Sequence, residues 1–254
     1  MKSNLVLLVV LLIVCACSSS TDTATQTGTP TYTLIFIDKT RSVNVNKTFV
    51  AQKYQQAIND IVDQNIQQKG DQLDVYFIHE NTSKARALNV TAQTEREDVS
   101  SASPTDREAA ETEFGLLLGR ERTRIKQQVL QQLMAQNSGA SNQETDIWAS
   151  LPVIQKANET GLSVKVYYLS DMIESVKGSD RRDFQKVPPR DNAQAEEWAK
   201  ADAEKLKRYT IGSPTITMML PFEPNASVRE NNPAVTQYWQ TLFAELGAGN
   251  VSED

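Results

Sequence analysis

The residues whose types and spacing suit chemistry fall in three short stretches. Asp38-Lys39-Thr40-Arg41-Ser42 places one carboxylate and two hydroxyls at alternate positions. Thr145, within Glu144-Thr145-Asp146-Ile147, supplies a third hydroxyl, and Asp171, within Leu169-Ser170-Asp171, a second carboxylate. Two carboxylates and three hydroxyls suit a hard divalent cation, Mg2+ or Mn2+, which takes oxygen ligands in octahedral geometry and keeps several waters. With so few full charges among its ligands, such an ion stays electrophilic toward a carboxylate from outside. The remaining composition closes off other chemistries. One histidine (His79) and two cysteines (Cys15 and Cys17) in 254 residues argue against a Cys/His zinc site, a His-rich catalytic site and a disulfide framework. Thirty-two acids against 26 bases, a net charge of −6, argue against nucleic acid as a partner.

The chemistry needs a scaffold that brings residues 38, 145 and 171 together, and the hydrophobic patterning supplies one. Thr33–Ile37 is a nearly continuous apolar run, as in a strand buried on both faces of a parallel sheet. A helix is expected over Phe49–Gln67, a strand over Leu73–Ile78, and an alternating edge partner over Arg86–Thr91. After a polar loop at 92–105, a long helix is expected from Asp106 to Gln136. Its stripe is Phe114, Leu117, Leu118, Ile125, Val129, Leu133 and Met134, interrupted by the charged Arg120–Arg124. Residues 139–142 break it, a shorter helix follows over Ile147–Asn158, and Ser163–Leu169 is the next strand. A charged, Pro-rich loop at 175–192 leads to a helix over Ala193–Arg208 and a last strand over Thr215–Leu220. Asn232-Pro233 then opens the final helix with a cap residue and an N1 proline. Strands alternating with helices imply a three-layer α/β/α fold with a mostly parallel central sheet and one antiparallel edge strand. Ligands of such sheets gather beyond the carboxyl ends of the strands. Asp38 and Asp171 stand at two such ends.

The set resembles the metal-ion-dependent adhesion site of von Willebrand factor A domains, whose motif is Asp-x-Ser-x-Ser after the first strand, a Thr before a helix, and an Asp after the fourth strand. Asp38, Thr40, Ser42, Thr145 and Asp171 match those positions in order, over a domain at 31–247. The resemblance implies that the loop hydroxyls bind the ion directly, that the Thr binds directly or through water, and that the aspartates often act through water. A protein partner's acidic residue would complete the shell, in adhesion or scaffolding without turnover. Thr40 stands where the family has Ser, Met172 replaces the common Gly after the second Asp, and the segment 92–136 exceeds the family's usual connection.

Two other readings stay open. The strand leading into Asp38-Lys39-Thr40 also resembles haloacid dehalogenase-type phosphatases and cation-pump ATPases, in which the Asp is phosphorylated, so a metal-dependent hydrolase using Asp38 is the alternative. Thr40 stands where the phosphatases need a second Asp, and Arg41 where the pumps need Gly. A third reading is a metal-free structural interaction module. Arg41, inside the motif, and Arg181 and Arg182, in the basic loop after Asp171, are candidates for partner contact. His79 is expected on the surface of a hairpin, and Trp148, Trp198 and Trp239 in the core.

The N-terminus reads as an address. Lys2 precedes an apolar run from Leu5 to Val14, which is too short to span a bilayer but has the length of a signal-peptide core. The following Val14-Cys15-Ala16-Cys17 resembles the lipobox of bacterial lipoproteins, which implies a signal at 1–17 and acylation of Cys17. An ordinary secretory signal is the alternative. Ser18 rather than Asp follows Cys17, which by analogy with proteobacterial sorting implies the outer membrane, facing the periplasm. Residues 18–30, rich in Ser and Thr, read as a tether, and 248–254 as a polar tail.

Overall fold

A computed structural model describes residues 28–135 and 143–254. The signal at 1–17 with Cys15 and Cys17, the tether up to residue 27 and the break at 139–142 lie outside the described residues. Among the described residues no helix is long and apolar enough to cross a membrane.

The strands are β1 (Thr31–Asp38), β2 (Gln72–Ile78), β3 (Arg86–Thr91), β4 (Ser163–Leu169), β5 (Thr215–Met219) and β6 (Asn250–Glu253). They form one sheet in the order β3-β2-β1-β4-β5-β6, with β3 antiparallel at one edge and every other pairing parallel. The helices are α1 (Thr48–Asn65), α2 (Pro104–Met134), α3 (Leu151–Asn158), α4 (Asn192–Leu206) and α5 (Pro233–Glu245). The expected three-layer α/β architecture is what the chain adopts.

Alternation along the strands divides the core in two. Ile35 and Ile37 of β1, Leu73 and Val75 of β2 and Leu169 of β4 pack with α1 and α2. Leu34 and Phe36, with Val166 and Tyr168 of β4 and Ile216 and Met218 of β5, pack with α3, α4 and α5. Residues 34–37 are essentially inaccessible to water, and each such side chain contributes about 1.5–3 kcal/mol by its burial. A ladder of rings, Phe36 on Tyr168 (5.0 Å), Tyr168 on Phe243 (5.6 Å) and Trp239 on Phe243 (5.5 Å), seats α5 on the central strands. The Asn232 side chain accepts a hydrogen bond from the Ala234 N–H, with Pro233 in the first turn, as the sequence signals.

Four details differ from expectation. Residues 250–253, read as part of a polar tail, are β6, so the sheet extends beyond residue 247. One half-buried apolar residue, Val251, gives this edge strand no hydropathy signal, and main-chain pairing with β5 holds it. The shorter helix starts later, because Pro152 has no N–H for a first helical bond: Trp148–Ser150 is a 3-10 turn leading into α3. In α2, Leu117 and Met134 point to solvent. The buried stripe is Phe114, Leu118, Glu121, Ile125, Val129 and Leu133, and its apparent interruption is used: Glu121 accepts the N–H groups of Gln93 and Thr94, both at 2.9 Å. His79 is buried, its Nδ1 accepting from the Asn81 N–H at 3.0 Å, and desolvation lowers its pKa. It stabilises the β2–β3 turn as a neutral ring.

Candidate metal centre

The chain leaves β1 toward β2 on one side, and returns at β4 on the other. The crevice between the carboxyl ends of β1 and β4 is therefore the topological switch point of the sheet. Ile37 pairs with Leu169, so the next residues, Asp38 and Ser170, emerge side by side. Asp38 is fully buried and both its oxygens are engaged. Oδ1 accepts the Thr40 N–H (2.8 Å) and the Thr40 hydroxyl (2.6 Å), and Oδ2 accepts the Ser170 hydroxyl (2.6 Å). Asp38 thus takes the Thr40 proton and leaves that oxygen's lone pairs facing away from it.

Three hydroxyls lie in a row. Thr40 Oγ1 stands 3.1 Å from Ser42 Oγ and 3.3 Å from Thr145 Oγ1. Thr40 and Thr145 are buried and Ser42 is exposed, so the row opens to solvent at one end. The structure thereby joins residues more than a hundred positions apart. Thr145 is held by two hydrogen bonds to the segment after β4: its N–H donates to Ser175 Oγ (2.9 Å), and its carbonyl accepts the Ser175 N–H (3.1 Å). The neighbouring Glu174, fully buried, accepts the Ile147 N–H at 2.8 Å and pairs with Arg181.

Asp171 completes the set. Its Oδ1 accepts the Ile173 N–H at 3.0 Å. The residue between them, Met172, has φ 60°, where the resemblance leads one to expect Gly. The left-handed backbone is retained without glycine because the Met172 side chain is fully buried and its carbonyl accepts the Trp239 indole N–H at 2.8 Å.

Electrostatics sharpen the picture. Burial raises the Asp38 pKa, against the pull of its Ser170 and Thr40 hydrogen bonds. Burial and the nearby Asp38 charge push Asp171 to about 7, with a hydrogen bond from Ser42 acting the other way. Among the described residues, neither carboxylate has a lysine or arginine partner to neutralise it. The Tyr54 hydroxyl, from α1, is buried without a hydrogen-bond partner among the described residues and lies in the field of both carboxylates. Burial pushes Glu174 up to about 8 despite Arg181.

These groups fit a divalent cation. With metal–oxygen bonds of about 2.1 Å, adjacent vertices of an octahedron stand about 3 Å apart, close to the spacing of the three hydroxyl oxygens. Two buried carboxylates without a basic partner lack the positive charge such an ion carries. Among the described residues no three His, Cys, Asp or Glu converge, so hydroxyls are indispensable to any such site.

Of the residues expected to contact a partner, Arg41 is exposed at the rim. Arg181 and Arg182 are not free. Arg181 pairs with Asp146 and Glu174 and lies over the Trp148 ring (4.7 Å), and Arg182 pairs with Asp202 (2.6 Å) over Trp198 (4.5 Å). The loop folds its guanidiniums inward because buried acids and indole faces are there to receive them. Ser170, Ser175, Glu174 and Tyr54 were missed. Only Ser170, beside Asp171 at a strand end, carried a positional signal.

No family model matches the chain, and no curated protein matches it. Solved structures do. A von Willebrand factor type A protein from Catenulispora acidiphila is 13% identical with a TM-score of 0.39, covering 86% of this chain and 42% of that one. The D319A mutant of the PilB minor pilin from Streptococcus sanguinis is 9% identical with a TM-score of 0.42 (90% and 58%). The pilus adhesin SpaC from Lactobacillus rhamnosus GG, in its open conformation, is 9% identical with a TM-score of 0.43 (90% and 28%). The chain spans less than two thirds of the length of each of these structures, and the likeness is one of general architecture.

Proposed function

We propose that Asp38, Thr40, Ser42, Thr145 and Asp171 bind Mg2+ or Mn2+ in the manner of a von Willebrand factor A adhesion site. Through the ion, the protein holds an acidic residue of a protein partner. It acts as an adhesion or scaffolding module of the bacterial envelope, anchored to the membrane by acylated Cys17, and turns nothing over. The observation that carries this reading is the row of hydroxyls at 3.1 and 3.3 Å beside two buried carboxylates with no basic partner among the described residues. The hydrolase alternative needs Asp38 as a free nucleophile, yet both its oxygens accept hydrogen bonds and none of its surface meets solvent.

The test is a thermal melt of the full chain with and without Mg2+ or Mn2+. A cation at about 100 times its Kd stabilises by about 2.7 kcal/mol, or about 5–10 °C for a domain of this size. Wild type should show the rise. Ser42→Ala, an exposed change that spares the fold, should lose most of it, and Asp38→Ala all of it. No rise in wild type sinks the metal reading. Phosphatase turnover in wild type that vanishes in Asp38→Asn would install the hydrolase instead.

A further inference from the structure

One carboxylate suffices to complete the shell of a bound ion, yet the space beside the cluster is much larger. A cavity of about 700 Å³ opens from Thr40, Ser42 and Thr145 to the loop between β5 and α5. That is within the range of sites for whole ligands, about 300–1,000 Å³. Its lining has two characters. One wall is apolar: Phe184, fixed edge-on against Tyr238 at 4.8 Å, Val235, and Val228, which is 72% exposed. The other is basic, with Arg41 and Arg229 both lining the cavity and both exposed.

These two arginines differ from their neighbours. Arg181 and Arg182 each have carboxylate partners, whereas Arg41 and Arg229 make no ion pair among the described residues. The acid that shares their rim, Glu230, turns back on its own loop, accepting from the Ser227 N–H and hydroxyl, both at 3.1 Å. In a chain of net charge −6, two unpaired guanidiniums facing one cavity form a local site for anions. Arg41 lies between Thr40 and Ser42, so its backbone is about 3.8 Å from that of each. A second carboxylate within a residue or two of the first along an extended partner chain comes within reach of it, side chains two apart projecting to the same side about 6.6 Å from one another.

We propose that the partner presents a diacidic segment with an adjoining apolar side chain: one acid reaches the hydroxyl row, the second lies between Arg41 and Arg229, and the apolar side chain covers the exposed Val228, beside the buried Val235 and Phe184. The first contact rests on the metal reading above; the second and third do not. Metal chemistry selects for a single acid, and this surface restricts the choice to acids in a particular neighbourhood.

The probe is an array of synthetic hexapeptides, Gly-Gly-Asp-Xaa-Yaa-Gly, with all residues at Xaa and Yaa, incubated with the full chain in Mg2+ and in chelator. Expected is stronger retention when one variable position is Asp or Glu and the other a large apolar residue, by about tenfold over peptides with the single Asp. Arg41→Gln with Arg229→Gln should bring that ratio to one. Equal retention of monoacidic and diacidic peptides by wild type, or a ratio that the double variant keeps, overturns the inference. So does retention of no peptide at all. Inorganic phosphate that raises the melting temperature through the same two arginines, with no diacidic preference, overturns it by making the site one for a free anion. The cation-dependent melt of the same samples separates the two proposals. Diacidic selection that depends on the arginines but survives chelator keeps this inference and removes the metal, while a cation-dependent rise without diacidic selection does the reverse.

Discussion

The hydroxyl of Tyr54 is buried, has no hydrogen-bond partner among the described residues, and lies in the field of Asp38 and Asp171. A buried hydroxyl left unpaired costs about 1–3 kcal/mol of desolvation. A water held by a bound ion would relieve it. Tyr54→Phe is therefore expected to leave the protein in chelator as stable as wild type or up to about 2 kcal/mol more so, while shrinking the Mg2+-dependent rise in melting temperature. Paired melts in chelator and in Mg2+ check both halves. A loss of stability in chelator would mean the hydroxyl has a partner, and an unchanged Mg2+ response would remove Tyr54 from the ion's surroundings. At this scale residue type and element boundary together single out Asp38, Thr40, Ser42, Thr145 and Asp171, and the fold brings the Thr40, Ser42 and Thr145 hydroxyls side by side. The sequence was silent for Tyr54, an aromatic at core spacing on an amphipathic helix, and for Glu174, whose burial depends on an arginine seven residues away.

Lys39 couples an element to the site. Its ammonium donates to the carbonyls of Gln132 (2.8 Å), Leu133 (2.6 Å) and Ala135 (2.9 Å), which belong to the end of α2, and stands over the Phe77 ring at 4.9 Å. The last carbonyls of a helix have no partner within it, and a cation there also meets the negative end of the helix dipole. Burial lowers the Lys39 pKa to about 8. Since Lys39 lies between Asp38 and Thr40, the same side chain fixes the end of a 31-residue helix and the loop of the candidate site. Lys39→Met should cost about 1–3 kcal/mol in denaturant unfolding, speed amide exchange in the last turn of α2, and weaken the Mg2+ response. If amide exchange there does not change, Lys39 does not hold that helix end. Hydropathy placed α2 to within two residues at each end, but a lysine within a motif reads as surface until the tertiary fold brings carbonyls to it. β6 was lost for a related reason. Its stability comes from main-chain pairing with β5, which leaves no mark on the pattern of its own side chains.

Over the whole molecule, the buried carboxylates make stability depend on pH. Asp171, pushed by burial and by Asp38 to about 7, holds a proton in the folded chain over a range where the unfolded chain, with an ordinary Asp near 3.9, does not. The folded state then binds more protons than the unfolded state between about pH 4 and pH 7, so stability falls as pH rises through that window, most steeply by about 1.4 kcal/mol per pH unit. Asp38, raised by burial, and Glu174, pushed up to about 8, add to the fall. A divalent cation acts with the opposite sign. It must displace the proton, so its affinity climbs by up to about tenfold per pH unit toward pH 7 and levels off above. Melts in chelator should therefore decline from about pH 5 to about pH 8, while melts in saturating Mg2+ decline less steeply, keeping only the share due to Glu174, the two curves separating as pH rises. Asp171→Asn should make the chelator curve shallower and bring the two together, because it removes both a buried proton and a ligand. Parallel curves in wild type, offset by the same amount at every pH, would mean that the cation binds without displacing that proton, and would exclude Asp171 from the site.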